Sequence, residues 1–341
     1  MKNMKKIVSI VLALAMMLCL NIVVFAADGG EDPVTPPTYT DQKTVTIKKI
    51  YKLENAGTTS PAEIFTVEQV GSGRVTDGDA DSAPDLGPIV GAEYGKGDAT
   101  VDGTERDITI TLPTYDTVGV YEYTLQETVG TTAGVIYHTG DIKLVVTVMQ
   151  GDDGKIRVAG VHTETAGGKK SGSIENKYQA AGIQENGTGL KITKTVSGNM
   201  ADHEKYFEFN VTLTGVEGKT YNNPYTIMGG SDDRNPDTCT VGSSFKVYLK
   251  ADETITIENL PYGVTYTVDE TDYSDEKYTT TGEVLSPEEV DSATEEVTVN
   301  NEKKGDVDTG IYMDSLPYIL LLAVVAVAGF VFISKKRYAN N

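Results

Sequence analysis

The chain has 341 residues, of which 39% are hydrophobic and 23% charged, and its formal net charge is -21. That acidic excess argues against nucleic acid and anionic membrane surfaces as partners. Two apolar ends enclose enough chain for two domains of ordinary size.

Residues 1–26 place three lysines ahead of an apolar run from Ile7 and end in Val24-Phe25-Ala26, the layout of a secretory signal peptide cleaved after Ala26. Export by that route would remove Cys19 and leave Cys239 as a single cysteine. An exported chain with one cysteine has no intrachain disulfide, so a covalent staple would need other chemistry. Residues 27–40 are Pro-rich and acidic without periodicity, as in a flexible leader.

From residue 41 to 178, short segments rich in Val, Ile, Thr and Tyr recur between Gly, Asp and Pro clusters: TVTIKKIYKL, DITITLP, VYEYTLQET, DIKLVVTV and KIRVAGVHTE. They predict an all-β domain. Residues 179–187 read as a linker. Strands resume in residues 188–304 as LKITKTV, FEFNVTL, SFKVYL, ETITIENL, GVTYTVDE and EEVTVNNE. The fold class expected is therefore all-β, two tandem Ig-like Greek-key sandwiches. No long stretch has a period of 3.6 residues.

Successive strand side chains alternate faces, and this parity turns polar residues inward. Lys49 shares a face with Val45, Ile47, Tyr51 and Leu53; Glu127 follows Tyr121, Tyr123 and Leu125; Asn176 goes with Ile174. The second domain repeats the order with Lys194, Glu270 and Asn301, while Lys48, Lys191 and Asn300 fall on the opposite face. A single inward lysine is better explained by a stem that reaches water at a strand end. Three groups meeting in an apolar interior would behave differently. Burial drives a lysine toward the neutral amine and a glutamate toward the neutral acid. A neutral amine held against an asparagine amide can attack its carbonyl carbon, with the acid shuttling protons to the departing ammonia.

Other signals carry less. Asp77, Asp79 and Asp81 begin like a calcium loop, but Ser82 and Pro88 stand where glycine and a bidentate glutamate are needed. His138, His162 and His203 lack metal-site spacing. Neither a phosphate loop nor a Ser, His and Asp set is evident, so neither cofactor nor enzyme turnover is expected. At the C-terminal end, GDVDTG (305–310) precedes an apolar stretch (316–333) about long enough to cross a bilayer and a cationic tail (334–341).

LKITKTVSG (190–198), ETITIENLPYGVTYTVDETDYSDEKYTT (253–280) and VTVNNEKK (297–304), with looser matches at VTIKK, GVYEYTLQE and SIENKY, resemble the backbone pilins of Gram-positive bacteria. That resemblance implies self-formed isopeptide bonds Lys49-Asn176 and Lys194-Asn301 between the first and last strands of each domain, with Glu127 and Glu270 as the acids. It also implies that a sortase cuts a sorting signal between Thr309 and Gly310, although the motif here contains no proline. Lys169 or Lys170 of another copy would then accept the threonine carbonyl. Expected partners are thus other copies of the chain, a sortase and peptidoglycan, with the membrane involved only before cleavage. The product would be an extracellular, wall-anchored fibre. A monomeric wall-anchored adhesin and a minor basal or tip pilin are the alternatives.

Overall fold

The computed structural model describes residues 41–165, 167–182, 189–306 and 318–328. The expected signal peptide, leader, cationic tail and Val307, Asp308, Thr309 and Gly310 of the sorting motif lie outside the described residues, as does most of the 179–187 linker. Within the apolar stretch residues 318–328 are helical, and among the described residues no helix is long and apolar enough to cross a membrane.

Among the described residues of 41–306, the regular secondary structure is almost entirely β-strand. In the first half, one sheet orders Ile89–Val90, Thr104–Thr111, Thr44–Leu53, Ser173–Tyr178 and Val135–Ile136. The second sheet orders Lys169–Lys170, Ile156–Thr165, Ile142–Gln150, Gly119–Glu127 and Val67–Gln69, with Arg74–Gly78 also paired to Gly119–Glu127. In the other half, a sheet of Thr238–Cys239, Tyr225–Gly229, Thr254–Ile257, Gly189–Ser197, Thr294–Glu302 and Thr279–Thr281 packs with one of Ser243–Leu249, Phe207–Thr214, Thr265–Glu270 and Val284–Glu289. The acidic stretch 77–85, read from sequence as a loop, begins inside the strand Arg74–Gly78 and is pinned where the Tyr123 hydroxyl donates to the Pro84 carbonyl at 2.9 Å.

Each half has its own apolar core, and the alternation of the strands creates it. Ile47 and Tyr51 with Tyr121, Tyr123, Leu125, Leu144 and Val146 fill the first; Leu190 and Ile192 with Phe207, Phe209, Val247, Ile255 and Val268 fill the second. Each such side chain contributes on the order of 1.5–3 kcal/mol by leaving water. Cys239 belongs to the second core, where burial pushes its thiol up to about 12. A thiol so far from ionisation is an inert packing group.

One feature of the topology matters most for the site. The first and last strands of each half lie side by side and parallel. Lys49 stands opposite Ile174 and Tyr51 opposite Asn176; Lys194 stands opposite Val299 and Val196 opposite Asn301. The asparagine is therefore one same-face step beyond the residue facing the lysine, in both halves. Side chains two positions apart on adjacent strands are within reach of a long lysine stem.

The halves meet through backbone-like polar contacts. Asn259 adopts a left-handed backbone (φ 60°), and its side-chain amide both accepts from the Thr59 N–H at 2.9 Å and donates to the Thr59 carbonyl at 3.0 Å. Asn55 donates to the Ala180 carbonyl at 2.9 Å and to the Tyr262 hydroxyl at 2.6 Å. Thr220 bonds the backbone of Thr131 and Ala133.

Candidate functional site

The six residues singled out by parity lie in the two cores. Lys49 and Lys194 have 0% exposure, Asn301 0%, Asn176 1%, and Glu127 and Glu270 5% each. A buried lysine without a partner would be strongly unfavourable, and each has the same partner type. Lys49 Nζ donates to Glu127 Oε2 at 2.6 Å, and Lys194 Nζ donates to Glu270 Oε2 at 2.9 Å.

The other oxygen of each carboxyl serves the asparagine. Asn176 Nδ2 donates to Glu127 Oε1, and Asn301 Nδ2 donates to Glu270 Oε1. One carboxyl thus touches both the amine and the amide nitrogen in each half. Lysine and asparagine come from neighbouring strands of one sheet, whereas the glutamate ends a strand of the opposite sheet, so the contact forms only when the sandwich closes.

Aromatic rings seal the sites from water. Lys49 Nζ lies 4.9 Å from the Phe65 ring centroid, and Lys194 Nζ lies 4.4 Å from that of Phe207 and 5.6 Å from that of Phe209. Edge-on packing of Tyr51 with Phe65 and of Phe207 with Tyr278 holds those rings in place. Desolvation lowers the Lys49 amine to about 8, although the Glu127 carboxylate opposes the shift. Burial likewise lowers Lys194 and raises Glu270. These shifts move the Lys49 and Lys194 amines toward the neutral nucleophile and Glu270 toward the neutral acid, the forms that carry out nucleophilic attack with proton transfer.

The residues ranked on the outer face are found there. Lys48 pairs with Asp107 and Lys191 with Glu296, while Asn300 bonds Thr195 and Ser197. Lys169 and Lys170 form an exposed two-residue edge strand opposite Thr165 and Glu164. Thr309 and Gly310 lie outside the described residues.

Sequence reasoning missed one contact. His138 donates its backbone N–H to Asn176 Oδ1 at 2.8 Å, whereas the buried Asn301 Oδ1 has no hydrogen-bond partner among the described residues. A backbone donor leaves no side-chain signature, and weighing His138 as a metal ligand looked at the wrong part of the residue.

The chain is thus a pair of tandem β-sandwiches, each joining a buried lysine and asparagine of its parallel first and last strands to a glutamate of the facing sheet. Residues 42–179 match the Spy0128-like isopeptide containing domain (FctA), and residues 188–303 match a domain of unknown function (DUF7601). A pilin of Streptococcus pyogenes serotype M1 is 31% identical over 245 residues, which cover 66% of this chain and 70% of that protein. The chain belongs to the Gram-positive pilin family. The pilus tip adhesin Cpa of Streptococcus pyogenes is 31% identical over 129 residues, 37% of this chain but only 18% of the adhesin. A crystal structure of a mutant of the major pilin from Streptococcus pyogenes shares the fold, with a TM-score of 0.51 at 22% identity over 77% of this chain and 99% of that one.

Proposed function

We propose that this pilin is the shaft subunit of a covalent surface fibre, and that each of its two sandwiches locks itself with one Lys-Asn isopeptide bond. The observation that carries the reading is the paired geometry: amine, carboxyl and amide in hydrogen-bonded sequence, fully buried, at the same register in both domains. A buried ion pair contributes little net stability by itself. Its repetition with an amide attached favours a chemical role.

Nζ of Lys49 attacks Cγ of Asn176 while its proton passes to Glu127 Oε2, and the proton on Oε1 passes to Nδ2, which leaves as ammonia. Lysine amine and asparagine amide become a secondary amide, and the carboxylic acid is regenerated. Lys194, Glu270 and Asn301 do the same in the second domain. Fixed proximity supplies ~7–11 kcal/mol of a barrier that is prohibitive in water. Each bond forms once, so the chain is a structural protein with two single-turnover reactions. Intact mass tests this: the folded chain should weigh roughly 34 Da less than its sequence predicts, one ammonia per bond. A full unmodified mass overturns it.

For assembly, a sortase transfers Thr309 of one copy to Lys169 or Lys170 of the next, and finally to peptidoglycan. The reading is supported by the exposure of both lysines on an edge strand, open to an incoming chain. Replacing both with arginine should abolish detergent-resistant ladders. Ladders of undiminished length would refute this acceptor assignment.

A further inference from the structure

We infer that the backbone amide of His138 is the oxyanion donor of the first domain's cross-linking reaction, and that the second domain reacts without one. The inference rests on the cross-linking reading above and deepens it. When Lys49 Nζ adds to Cγ of Asn176, the carbonyl π electrons move onto Oδ1, which becomes an alkoxide. Collapse of that alkoxide expels ammonia. The group facing Oδ1 therefore sets much of the barrier, and preorganised donors at 2.7–3.1 Å from the developing charge are the effective ones. The His138 N–H stands at 2.8 Å from Oδ1.

The same hydrogen bond orients the amide. With Oδ1 held by His138, Nδ2 is turned to Glu127 Oε1, the oxygen that delivers the proton to the leaving nitrogen. Donor, nucleophile and acid thus approach three different atoms of one amide. In the second domain the amine and the acid recur, yet Asn301 Oδ1 is buried without a partner. The strand neighbouring Asn301 differs: Thr280 pairs with Asn301 inside the ladder Thr279–Thr281, whereas the corresponding ladder of the first domain stops at Ile136 and frees the next residues to turn inward. That early end of the ladder lets the amide of His138 point at a side chain.

The test follows the two cross-linked peptides separately by mass spectrometry after pulse-labelled cell-free synthesis of the full chain. An ester in place of the Tyr137–His138 peptide amide, installed with the α-hydroxy analogue of histidine, deletes the N–H and keeps the side chain. The first bond should then form about 10²- to 10³-fold more slowly, with the second unchanged as an internal control. An unchanged first-domain rate in the ester chain overturns the assignment. Should the ester chain lose the protease resistance of its first domain, the unaltered chain decides: the first bond should lead the second by at least about tenfold, and equal or reversed rates overturn the inference. If neither peptide ever forms in the unaltered chain, the cross-linking reading itself falls.

Discussion

At the residue scale, the proposed reaction gives each trio a proton shuttle and a nucleophile, and the two roles separate by mutation. Glu127→Ala removes the shuttle of the first domain alone. It should abolish that bond and leave the second intact, so that the intact mass falls by one ammonia, roughly 17 Da, instead of two. Asn176→Ala removes the target and preserves the amine, which makes its titration visible in stability. Burial lowers the folded Lys49 to about 8 from the usual 10.5. Between those values the unfolded chain binds more protons than the folded one, so stability must rise with pH; below 8 both states are protonated and the folded state bears the full penalty. The rise totals about 3 kcal/mol over the whole interval. Urea midpoints of Asn176→Ala measured between about pH 7.5 and 9.5, before unfolded tyrosines ionise, should therefore increase. Adding Lys49→Met should flatten the curve, and a rise that persists without the lysine would refute its assignment. The six buried residues of the trios were legible because period-2 parity is exact within a strand, and because the trio occurs twice. His138 was not legible, since its role belongs to a peptide N–H whose direction depends on where a neighbouring ladder ends.

At the scale of elements, the parallel contact of first and last strands explains why a bond at this place serves a fibre. A load applied at the two ends of a domain enters on Thr44–Leu53 and leaves on Ser173–Tyr178, neighbours in one sheet. A bond from Lys49 to Asn176 passes the force directly between them and shields the 126 residues between positions 49 and 176. By the loop-closure relation for disulfides, such a link is worth about 5 kcal/mol. The mechanical effect is larger. Stretching single molecules of the unaltered chain should give no unfolding step from either domain, whereas Asn176→Ala should release one step of roughly 40 nm, at ~3.5 Å for each freed residue. A step of that length from the unaltered chain would show that the first domain is not closed. The long strands were readable from alternation in DITITLP, VYEYTLQET or LKITKTV. Short ones such as Glu63–Phe65 and Ala92–Tyr94 were not, because three residues carry too little pattern to separate a strand from a turn.

At the scale of the whole molecule, a shaft subunit must pass force and orientation from one sandwich to the other, and the junction is built to do so. Asn259 is its most exacting residue. Its amide mimics a strand neighbour by pairing with both the N–H and the carbonyl of Thr59, 200 positions away in sequence. It does so from a left-handed backbone that asparagine tolerates and most residues avoid. The substitutions Asn259→Gly and Asn259→Ala divide these contributions. Glycine keeps the backbone and loses the two hydrogen bonds, at ~0.5–1.5 kcal/mol each; alanine loses them and adds about 1–2 kcal/mol of backbone strain. Both should keep the mass deficit of two ammonias relative to their own sequences, because neither touches a trio. Both should loosen the junction, and residual dipolar couplings would then report alignment tensors that differ between the domains where the unaltered chain gives one common tensor. Alanine should also lower the urea midpoint further than glycine. If the tensors stay identical in both variants, rigidity resides instead in the Asn55 contacts to Ala180 and Tyr262 and in the Thr220 contacts to Thr131 and Ala133, and Asn259 merely closes a turn.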